Sequence, residues 1–478
     1  MIIQYLASVW HILVPAFHGI GAITSIHAVM KTRTSQGAIA WALALITLPY
    51  VTLPLYLVFG RNRFHGYVEA RREEGQKIAK LRASMAEASR DVSALPKSVP
   101  EAYRLFNQLA HTPFTSGNSA RLLIDGDATF EAIFAGIEAA KRYVLVQFFI
   151  VHDDRIGREL KDKLLAKARA GVRIYFLYDD IGSRALPRRY VRELRKAGIQ
   201  AFPFLTSRGF STRFQVNFRN HRKIVVVDGE QAYLGGLNVG DEYLGRSARF
   251  GQWRDTFAAV CGPAVKAIQL SFIDDWHWST GEVPELDWSI TPACADGKAV
   301  LVLPTGPADE LEACSLFFAH AIHLAKRRVW IATPYFVPSP EIILALQLAV
   351  LRGVDVRIII PCKPDHLVAY LAAFSYLKDV LPIGVKLYRY QPGFLHEKVL
   401  LVDEDLATVG TVNLDIRSLR LQFEITLVFA DRQFAAQVSN MLEEDFARSR
   451  PLLIGEIEDR SLPFKIAVQI ARLLSPAL

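Results

Sequence analysis

The chain has 478 residues, a net charge of +8 at pH 7 and four cysteines. Its length allows two or three domains, each with its own core. The cysteines form no CxxC pair, which disfavours a zinc site and a disulfide framework. They are Cys261, Cys294, Cys314 and Cys362. The mild positive charge suits an anionic partner, either a membrane face or a nucleic acid, and does not indicate which of the two.

Two long uncharged segments occupy the N-terminal 60 residues. Residues 2–30 and residues 37–60 contain no Lys, Arg, Asp or Glu. Each exceeds the roughly 20 apolar residues that a helix needs to cross a bilayer. A cleavable signal peptide is disfavoured, because the first segment lacks a basic start and is longer than the usual apolar region of about 7–15 residues. The sequence predicts a transmembrane helical hairpin over residues 1–60, with two crossings.

The cations beside these segments predict the orientation of the chain. The loop between the segments holds Lys31 and Arg33, and the downstream flank is richer in cations. The flanking cations are Arg61, Arg63, Arg71, Arg72, Lys77, Lys80 and Arg82. The positive-inside rule therefore places the large C-terminal part in the cytoplasm. We expect a multi-pass protein of the inner (cytoplasmic) membrane, with a charged juxtamembrane helix and a linker over residues 61–112.

An internal repeat organises the rest of the chain. Residues 221–238 have the sequence HRKIVVVDGEQAYLGGLN, and residues 396–413 have the sequence HEKVLLVDEDLATVGTVN. The two copies share the pattern H-x-K-x4-D-x6-G-x2-N at one constant offset. A chance match of five fixed residues at one start has odds of roughly one in a few million. The chain therefore contains two copies of one unit.

The flanks of the two motifs also correspond. An alanine-rich helical stretch precedes a strand-like run in each copy, and a second helix and a second buried strand follow. The strand-like runs are residues 143–151 and 171–180 in the first copy and residues 328–337 and 353–361 in the second. Alternating helices and β-branched strands indicate an α/β fold. We predict two tandem α/β/α sandwich domains, residues 113–290 and residues 291–478.

Each motif carries residues suited to phosphodiester chemistry. Residues two apart in a strand share a face, so His221 should lie beside Lys223, and His396 beside Lys398. Two histidines can divide one in-line displacement, because one attacks to form a phosphohistidine and the other transfers protons. Lysine and asparagine would hold the phosphate. The motif asparagines are Asn238 and Asn413. No metal is expected, because no cluster of carboxylates lies near either motif.

Four acidic residues have predicted roles. By strand parity, Asp228 and Asp403 point away from the histidines, which favours a role in fastening strand ends. Asp255 and Glu424 lie in short apolar strands, where an unpaired acid would be costly. Asp255 follows the first motif histidine by 34 residues, and Glu424 follows the second by 28. We expect a carboxylate behind each histidine, fixing its tautomer and orientation. Surface exposure is the competing interpretation for these two acids.

The two motifs resemble the HKD signature of the phospholipase D superfamily. The order of parts resembles the bacterial-type cardiolipin synthases, and so do the strings GGLNVGDEY, WRDTF, TPYFVP and GTVNLDIRSLRLQFE. The resemblance implies two phospholipase D-like halves related by a pseudo-two-fold axis, with both histidines facing one cleft. It also implies a catalytic set: His221, Lys223, Asp228, His396, Lys398 and Asp403. In this superfamily the N-terminal histidine is often the nucleophile, which implies attack by His221 and proton transfer by His396.

The resemblance further implies a reaction. A phosphatidyl group would pass from one phosphatidylglycerol to another, giving cardiolipin and releasing glycerol. The expected partners are the membrane and anionic phospholipids, without a cofactor and without nucleic acid. The identity of the donor and the acceptor stays open, and so does the oligomeric state, a homodimer included.

Three other functions are compatible with parts of the sequence. A hydrolytic phospholipase D passes through the same covalent intermediate, so the motifs do not separate it from a synthase. A nuclease with the same motifs is permitted by the net charge. It is disfavoured by the uncharged hairpin and by the lack of a dense Lys/Arg stripe with interleaved aromatic residues. A membrane scaffold without activity is disfavoured by two intact motifs.

The C-terminal segment, residues 463–474, has an amphipathic pattern. Lys465, Gln469 and Arg472 fall on one side of a helix whose other faces are apolar. This helix would lie in the bilayer interface or pack on the second domain, and the sequence does not decide between the two.

Overall fold

The computed structural model describes residues 2–60, 64, 66–68, 81, 99–205, 217–290, 293 and 297–475. Most of the predicted juxtamembrane helix and linker lies outside these described residues, and so does Cys294. The other three cysteines are free thiols.

Helices and strands alternate over most of the described chain. The helices are α1 (Ile2–Lys31), α2 (Ser35–Thr47), α3 (Pro49–Phe59), α4 (Arg104–Ala110), α5 (Asp125–Ala139), α6 (Arg155–Arg169), α7 (Arg188–Lys196), α8 (Ala264–Thr280), α9 (Ala313–Leu324), α10 (Pro340–Leu351), α11 (Leu367–Val380), α12 (Ile416–Arg420), α13 (Arg432–Ala447), α14 (Gly455–Glu458) and α15 (Leu462–Leu473). The strands are β1 (Thr115–Ile124), β2 (Tyr143–Phe148), β3 (Arg173–Asp179), β4 (Gln200–Phe204), β5 (Arg219–Asn220), β6 (Ile224–Val227), β7 (Gln231–Gly235), β8 (Gln252–Arg254), β9 (Thr256–Cys261), β10 (Lys298–Thr305), β11 (Arg328–Ala332), β12 (Phe336–Val337), β13 (Asp355–Pro361), β14 (Lys386–Tyr390), β15 (Gly393–Leu395), β16 (Val399–Val402), β17 (Leu406–Gly410), β18 (Leu414–Asp415), β19 (Gln422–Ala430) and β20 (Ser449–Pro451).

The N-terminal apolar segments form three helices. Among the described residues, α1 alone is long and apolar enough to cross a membrane, over Leu13–Lys31. The second apolar segment breaks at Leu48, whose backbone is not helical. Pro49 then opens α3, where its missing N–H costs no helical hydrogen bond. The structure therefore supports one anchoring helix, and it divides the second predicted crossing into helices of 13 and 11 residues.

Strands from both copies of the repeat join in one continuous sheet. Its order is β20-β14-β13-β11-β16-β17-β19-β10-β1-β9-β7-β6-β2-β3-β4, with β5 added to β19. The first strands of the two copies, β1 and β10, pair antiparallel at the centre. Outward from this pair, each strand of the first half has a counterpart at the same position in the second half. The first half has the order β9, β7, β6, β2, β3 and β4, and the second half has the order β19, β17, β16, β11, β13 and β14. The order has the two-fold symmetry that the repeat predicts, and the sheets of the two halves join at β1 and β10.

The strand-like runs of the sequence are strands of this sheet. In the first half β2 pairs in parallel with β3, and in the second half β11 pairs in parallel with β13. The helices α6 and α10 make the crossovers that parallel neighbours require. The alanine-rich stretches before β2 and β11 are the helices α5 and α9. The predicted α/β class is confirmed.

Helices bury both faces of the sheet. On one face, α8 and α13 cover a core that both halves share, with Leu145 and Ile224 from the first half and Leu401 and Phe423 from the second. On the other face, α5, α6 and α7 cover the first half, and α9, α10 and α11 cover the second. Strands buried on both sides explain the nearly continuous apolar runs in the sequence. The shared core fixes one half against the other.

The C-terminal amphipathic segment forms α15, which packs against α11 of the second half. The ring of Phe464 lies 5.1 Å from that of Phe374, and Val468 and Ala471 are buried. The opposite side of α15 stays uncovered, because Leu462, Ile466, Ile470 and Leu473 are exposed. Packing on the second half therefore uses one side of the helix, and the other side keeps an apolar surface.

Candidate active site

Each histidine–lysine pair lies in a short irregular segment between two strands. The chain leaves β5, which pairs in parallel with β19 of the other half, and passes through His221 and Lys223 into β6 of its own half. The second copy repeats this path, since β15 pairs with β8 of the first half before His396 and Lys398 lead into β16. The expectation that these residues lie inside a regular strand is wrong, because the chain changes pairing partner at the motif.

A glutamate of the second half lies behind the histidine of the first. The pairing of Asn220 with Phe423 makes His221 and Glu424 the next residues in register. Nδ1 of His221 lies 3.0 Å from both carboxylate oxygens of Glu424, which is fully buried. The hydroxyl of Thr411 also donates to Glu424. A carboxylate at Nδ1 favours the tautomer with the proton on that nitrogen and leaves Nε2 free to act as a nucleophile.

An aspartate of the first half lies behind the histidine of the second. The pairing of Leu395 with Arg254 places His396 and Asp255 next in register. Nδ1 of His396 lies 2.7 Å from Oδ2 of Asp255. The same Nδ1 lies 2.8 Å from Nζ of Lys398. This nitrogen can therefore donate to the carboxylate or accept from the ammonium, depending on which protons are present.

The two carboxylates are exchanged between the halves. Spacing along the chain associates Asp255 with His221 and Glu424 with His396, and that pairing is wrong. A carboxylate does lie behind each histidine, but it comes from the other copy. The cause is the pair of parallel bridges, β5 with β19 and β15 with β8, which lead each motif onto a strand of the opposite half.

Burial dominates the electrostatics of the site. It lowers the pKa of His221 to about 4, although Glu424 acts in the opposite direction. Burial, followed by the ammonium of Lys398, lowers the pKa of His396 well below its ordinary value. Burial likewise raises the pKa of Asp255 to about 6. Both imidazoles are therefore neutral near pH 7, which is the form that a nucleophile needs.

Both motif lysines are buried beside their histidines. Nζ of Lys223 donates to the carbonyl of His221 at 2.7 Å, and Nζ of Lys398 donates to the carbonyl of His396. Burial lowers the pKa of Lys223 well below its ordinary value and that of Lys398 to about 8. The lysines also act across the interface, because Lys398 is among the groups that lower the pKa of His221. The charge of one half-site therefore acts on the histidine of the other.

The motif aspartates lie away from this cluster and hold the start of a strand. Oxygens of Asp228 accept the backbone N–H groups of Lys141, Arg142 and Tyr143 at 2.7–2.8 Å. Asp403 accepts those of residues 326–328 at 2.8–3.0 Å. Both aspartates have a positive φ, at 54° and 50°, which aspartate tolerates better than most residues. These contacts match the fastening role that strand parity predicts and leave neither side chain in the site.

The two motif asparagines are both buried but make different contacts. Oδ1 of Asn238 accepts the N–H of Ile150 at 3.1 Å, and its Nδ2 donates to the hydroxyl of Tyr243 at 3.1 Å. Oδ1 of Asn413 has no hydrogen-bond partner within the described residues. Asn238 therefore anchors the loop around the first half-site, whereas Asn413 keeps an amide oxygen available.

Two buried ionic clusters support the bridges, and the sequence did not single them out. Arg222, which lies between His221 and Lys223, donates to Asp275 at 2.8 Å and to the carbonyl of Glu424 at 2.9 Å. Arg254, which precedes Asp255, forms two hydrogen bonds of 2.9 Å with Asp445. The available signal was an arginine next to His221 and another next to Asp255, each close to an apolar run, where a buried charge must find a partner.

The two carboxylates are held in different ways. Thr411 of the second copy, which donates to Glu424, corresponds in the repeat to Gly236 of the first. A Cβ at Gly236 would lie 2.1 Å from Oδ1 of Asp255. The glycine therefore leaves room for the shorter acid, while the threonine adds a hydrogen bond to the longer one.

Within the part of the chain that the structure describes, one group of side chains has the composition of a metal site. Ligand atoms of His152, Asp154 and Glu242 lie within 4.8 Å of one another. The carboxylate of Asp154 already accepts the N–H groups of Gly157 at 3.1 Å and Asp241 at 2.7 Å. These bonds cap α6 and hold the neighbouring loop, which accounts for the cluster without an ion.

Comparison with protein families decides between the functions that the motifs allow. Residues 133–248 and 318–446 match the family described as "Cardiolipin synthase, PLD-like domain", with one motif in each range. The chain belongs to the cardiolipin synthase family. Residues 20–61 match the family described as "Phospholipase_D-nuclease N-terminal". Membership of the cardiolipin synthase family makes the chain a phosphatidyltransferase of the phospholipase D type.

Individual relatives give the same result over the full length. The chain is 48% identical to cardiolipin synthase A of Pseudomonas entomophila over 471 residues, which cover 98% of each chain. It is 48% identical to cardiolipin synthase A of Pseudomonas fluorescens, again over 471 residues and 98% of each chain. The crystal structure of phosphatidylserine synthase from Haemophilus influenzae superposes with a TM-score of 0.61, covering 79% of this chain and 100% of that one. At 15% identity, this likeness supports the fold alone.

Proposed function

We propose that this member of the cardiolipin synthase family transfers the phosphatidyl group of one phosphatidylglycerol to a second one, giving cardiolipin and free glycerol. The exchange of carboxylates carries the proposal, because each histidine is oriented by an acid from the other copy and neither half is complete by itself. Full-length similarity to proteins named cardiolipin synthase A supports the same reaction.

In the first step, Nε2 of His221 attacks the phosphorus atom of the donor lipid. The P–N bond forms while the P–O bond to glycerol breaks, and His396 delivers a proton to the departing oxygen. Glu424 stabilises the positive charge that develops on the attacking ring. Lys223 and Lys398 offset the negative charge on the phosphate oxygens. The attraction between these charges is stronger in a buried site than in water.

In the second step, a hydroxyl of another phosphatidylglycerol replaces the histidine. His396 accepts the hydroxyl proton, the oxygen attacks phosphorus, and the P–N bond to His221 breaks. The ring of His221 returns to its neutral form, and the product keeps both phosphatidyl groups. A water molecule at the same position would give phosphatidic acid, which is the hydrolytic alternative.

Lys398 is the proton reservoir of the second half-site in this proposal. Its Nζ lies 2.8 Å from Nδ1 of His396, so it can donate to that nitrogen while Nε2 holds a proton towards the substrate. When Nε2 gives its proton to glycerol, Lys398 passes one to Nδ1, and Nδ1–H then donates to Asp255 at 2.7 Å. A lysine with a pKa of about 8 can both hold and release this proton. Among the described residues, the first half-site has no such contact between a lysine and the histidine ring, which supports His221 as the nucleophile.

We propose that the lipid substrates reach the site from the bilayer, with the catalytic halves on the cytoplasmic side of the inner membrane. Phe64 follows the apolar segments closely, and its ring contacts those of Phe218 and Phe423, the latter next to Glu424. Its N–H donates to the carbonyl of Pro307 at 3.1 Å. The anchor thus joins the catalytic part beside the site. The two crossings predicted from the sequence are one version of this anchor, and a single crossing is the other.

The reaction is tested by supplying the purified full-length protein with vesicles of phosphatidylglycerol and following lipids and glycerol by mass spectrometry. We expect cardiolipin and glycerol in equal amounts, and phosphatidic acid without cardiolipin would refute the synthase proposal. His221→Ala should abolish turnover with folding intact. His323→Ala, which removes an exposed histidine, is the matched control and should leave turnover unchanged.

The roles of the two histidines are separated by a donor whose leaving group needs no proton. With the phosphatidyl ester of p-nitrophenol, His396→Ala should still release nitrophenol in a single turnover and form the phosphohistidine. His221→Ala should do neither. Release of nitrophenol by the His221 variant, with none by the His396 variant, would reverse the assignment.

A further inference from the structure

The second apolar segment reverses its direction at Leu48. α2 runs back along α1, since a Cβ added at Gly21 would lie 2.3 Å from the carbonyl oxygen of Leu45. Near the start of α3, the hydroxyl of Tyr50 contacts Nδ1 of His18 at 3.2 Å. Nearer its end, the hydroxyl of Tyr56 contacts Nδ1 of His27 at 3.0 Å. α3 therefore runs towards the C-terminal end of α1.

A helix that continued through Leu48 would place these residues elsewhere. Tyr56 lies 11 residues beyond Leu45, so an uninterrupted helix would carry it about 16 Å farther from the C-terminal end of α1. Its ring lies instead 5.1 Å from that of Trp41, at the middle of α2, and 6.0 Å from that of His27. α2 and α3 therefore run side by side in opposite directions.

Both ends of this pair of helices lie at the catalytic part of the protein. Before α2, Nε of Arg33 forms an ion pair of 2.9 Å with Glu312, at the N-terminal end of α9. After α3, the N–H of Phe64 donates to the carbonyl of Pro307, five residues before Glu312. Phe64 follows Gly60, the residue that caps α3, by four residues, which span at most about 14 Å. The segment thus starts and finishes at the same surface.

We propose that Ser35–Phe59 is a re-entrant pair of helices that enters the bilayer from the catalytic side and returns to it. Among the described residues, the chain then crosses the membrane once, through α1. With 13 residues α2 is about 20 Å long, which is less than the hydrocarbon core of about 30 Å. The apex at Leu48 therefore lies within the bilayer. The inference concerns the anchor and does not rest on the proposed reaction.

The apex meets the demand that a bilayer makes on the backbone. The N–H of Leu48 donates to the carbonyl of Ala44 at 2.9 Å, and its own carbonyl accepts the N–H of Thr52 at 3.0 Å. The hydroxyl of Thr52 donates to the same two carbonyls, at 3.0 Å for Ala44 and 2.7 Å for Leu48. Pro49 has no N–H to satisfy. A break in a helix is tolerated at membrane depth when its polar groups are paired in this way.

The outer surface and the charges fit the same placement. The segment contains no Lys, Arg, Asp or Glu, and its outward side chains are large and apolar. They include Ile39, Leu43, Ile46, Val51 and Leu55, each between 43% and 60% exposed. With one crossing, Lys31 and Arg33 lie on the same side as the cations that follow residue 60. Two crossings would instead leave Lys31 and Arg33 on the side opposite to the catalytic part, against the positive-inside rule.

The topology is tested by labelling single cysteines in a cysteine-free full-length parent that retains lipid turnover. The positions are Gln36→Cys in the first turn of α2, Glu101→Cys in the catalytic part, both exposed, and a cysteine in a short N-terminal extension. A membrane-impermeant maleimide is applied to spheroplasts and to inverted vesicles. We expect the Gln36 and Glu101 variants to react from the same side and the extension to react from the other. Reaction of the Gln36 variant from the side opposite to the Glu101 variant would overturn the proposal.

A cysteine at the apex gives a second, independent measurement. Leu48→Cys should be unreactive from both sides of intact membranes and should react after detergent is added. The control is Ala102→Cys, an exposed position beside Glu101, which should react before and after detergent. Labelling of the Leu48 variant in intact membranes from the side opposite to the catalytic part would show that α2 emerges there, and the re-entrant arrangement would be wrong.

Discussion

Glu424 of the second copy lies 3.0 Å from Nδ1 of His221 of the first. Asp255 of the first copy lies 2.7 Å from Nδ1 of His396 of the second. Each acid is carried by a strand of one half and used by the other, so docking of the two halves completes both half-sites at once. The shared core and the continuous sheet make that docking part of the fold.

Glu424→Gln tests the role of the acid behind the nucleophile. The change keeps the shape of the side chain and removes the charge that stabilises the cationic ring of His221. We expect kcat to fall by about 10²–10⁴-fold, with the melting temperature little changed. The measurement is turnover of phosphatidylglycerol vesicles beside a thermal melt. Glu404→Gln, a partly exposed acid outside the site that pairs with Arg327, should keep normal turnover. Normal turnover of the Glu424 variant would contradict the orienting role.

The activity should depend on pH with limbs near 6 and 8. Asp255 must be charged to accept the hydrogen bond from Nδ1–H of His396, and burial raises its pKa to about 6, so kcat falls as the pH drops below that value. Lys398 must be protonated, and burial lowers its pKa to about 8, so kcat falls as the pH rises above it. The pKa of His221, lowered by burial to about 4, keeps the nucleophile neutral throughout. The measurement is kcat against pH at saturating lipid.

Lys398→Arg separates charge from proton transfer in the same profile. Guanidinium stays protonated in this pH range and cannot release its proton. The variant should therefore be slower at pH 7 and should lose the alkaline limb. A variant that keeps both the rate and the alkaline limb would show that another group is responsible.

Asp228→Ala should lower stability and leave the chemistry intact. The change removes the acceptor of three backbone N–H groups at the start of β2 and places alanine at a φ of 54°. We expect the free energy of unfolding to fall by about 2–4 kcal/mol. Chemical denaturation gives this value, and kcat per folded molecule should stay within about twofold. A loss of kcat in fully folded protein would instead place the aspartate in the chemistry.

Gly236→Ala should disturb the second half-site through Asp255. The new Cβ would lie 2.1 Å from Oδ1 of Asp255, so the acid must move away from His396. We expect kcat to fall by about 10²-fold, because orientation of the acid–base group is lost. Gly455→Ala is the matched control, since the nearest atom to its Cβ is a flexible carboxylate oxygen at 3.5 Å. Equal activity in the two variants would count against positioning of His396 by Asp255.

Much of the fold followed from local patterns. The repeat of histidine, lysine, aspartate, glycine and asparagine predicts two related units, and the apolar runs around residues 143 and 328 become β2 and β11. Strand parity placed Asp228 and Asp403 away from the histidines, where they hold strand starts. These features depend on residues close together in sequence, for which spacing and geometry are directly related.

Pairing between distant segments could not be obtained in this way. Spacing alone linked Asp255 to His221, whereas the parallel bridge of β15 with β8 links it to His396. Hydropathy alone gave residues 37–60 one crossing, whereas the break at Leu48 folds the segment back on itself. The sequence also did not predict the buried partners of two arginines near the carboxylates. In the structure, Arg222 pairs with Asp275 and Arg254 pairs with Asp445.

The sequence by itself determined the residues that we propose for the chemistry and that they occur twice, because an imidazole and its ammonium neighbour are specified by residue type and local spacing. The tertiary structure decided which acid serves which histidine and how the anchor returns to the site. The choice of acid depends on strand pairing between segments 203 and 141 residues apart, and local sequence does not encode that register. The return of the anchor depends on contacts of α3 with α1 and α2.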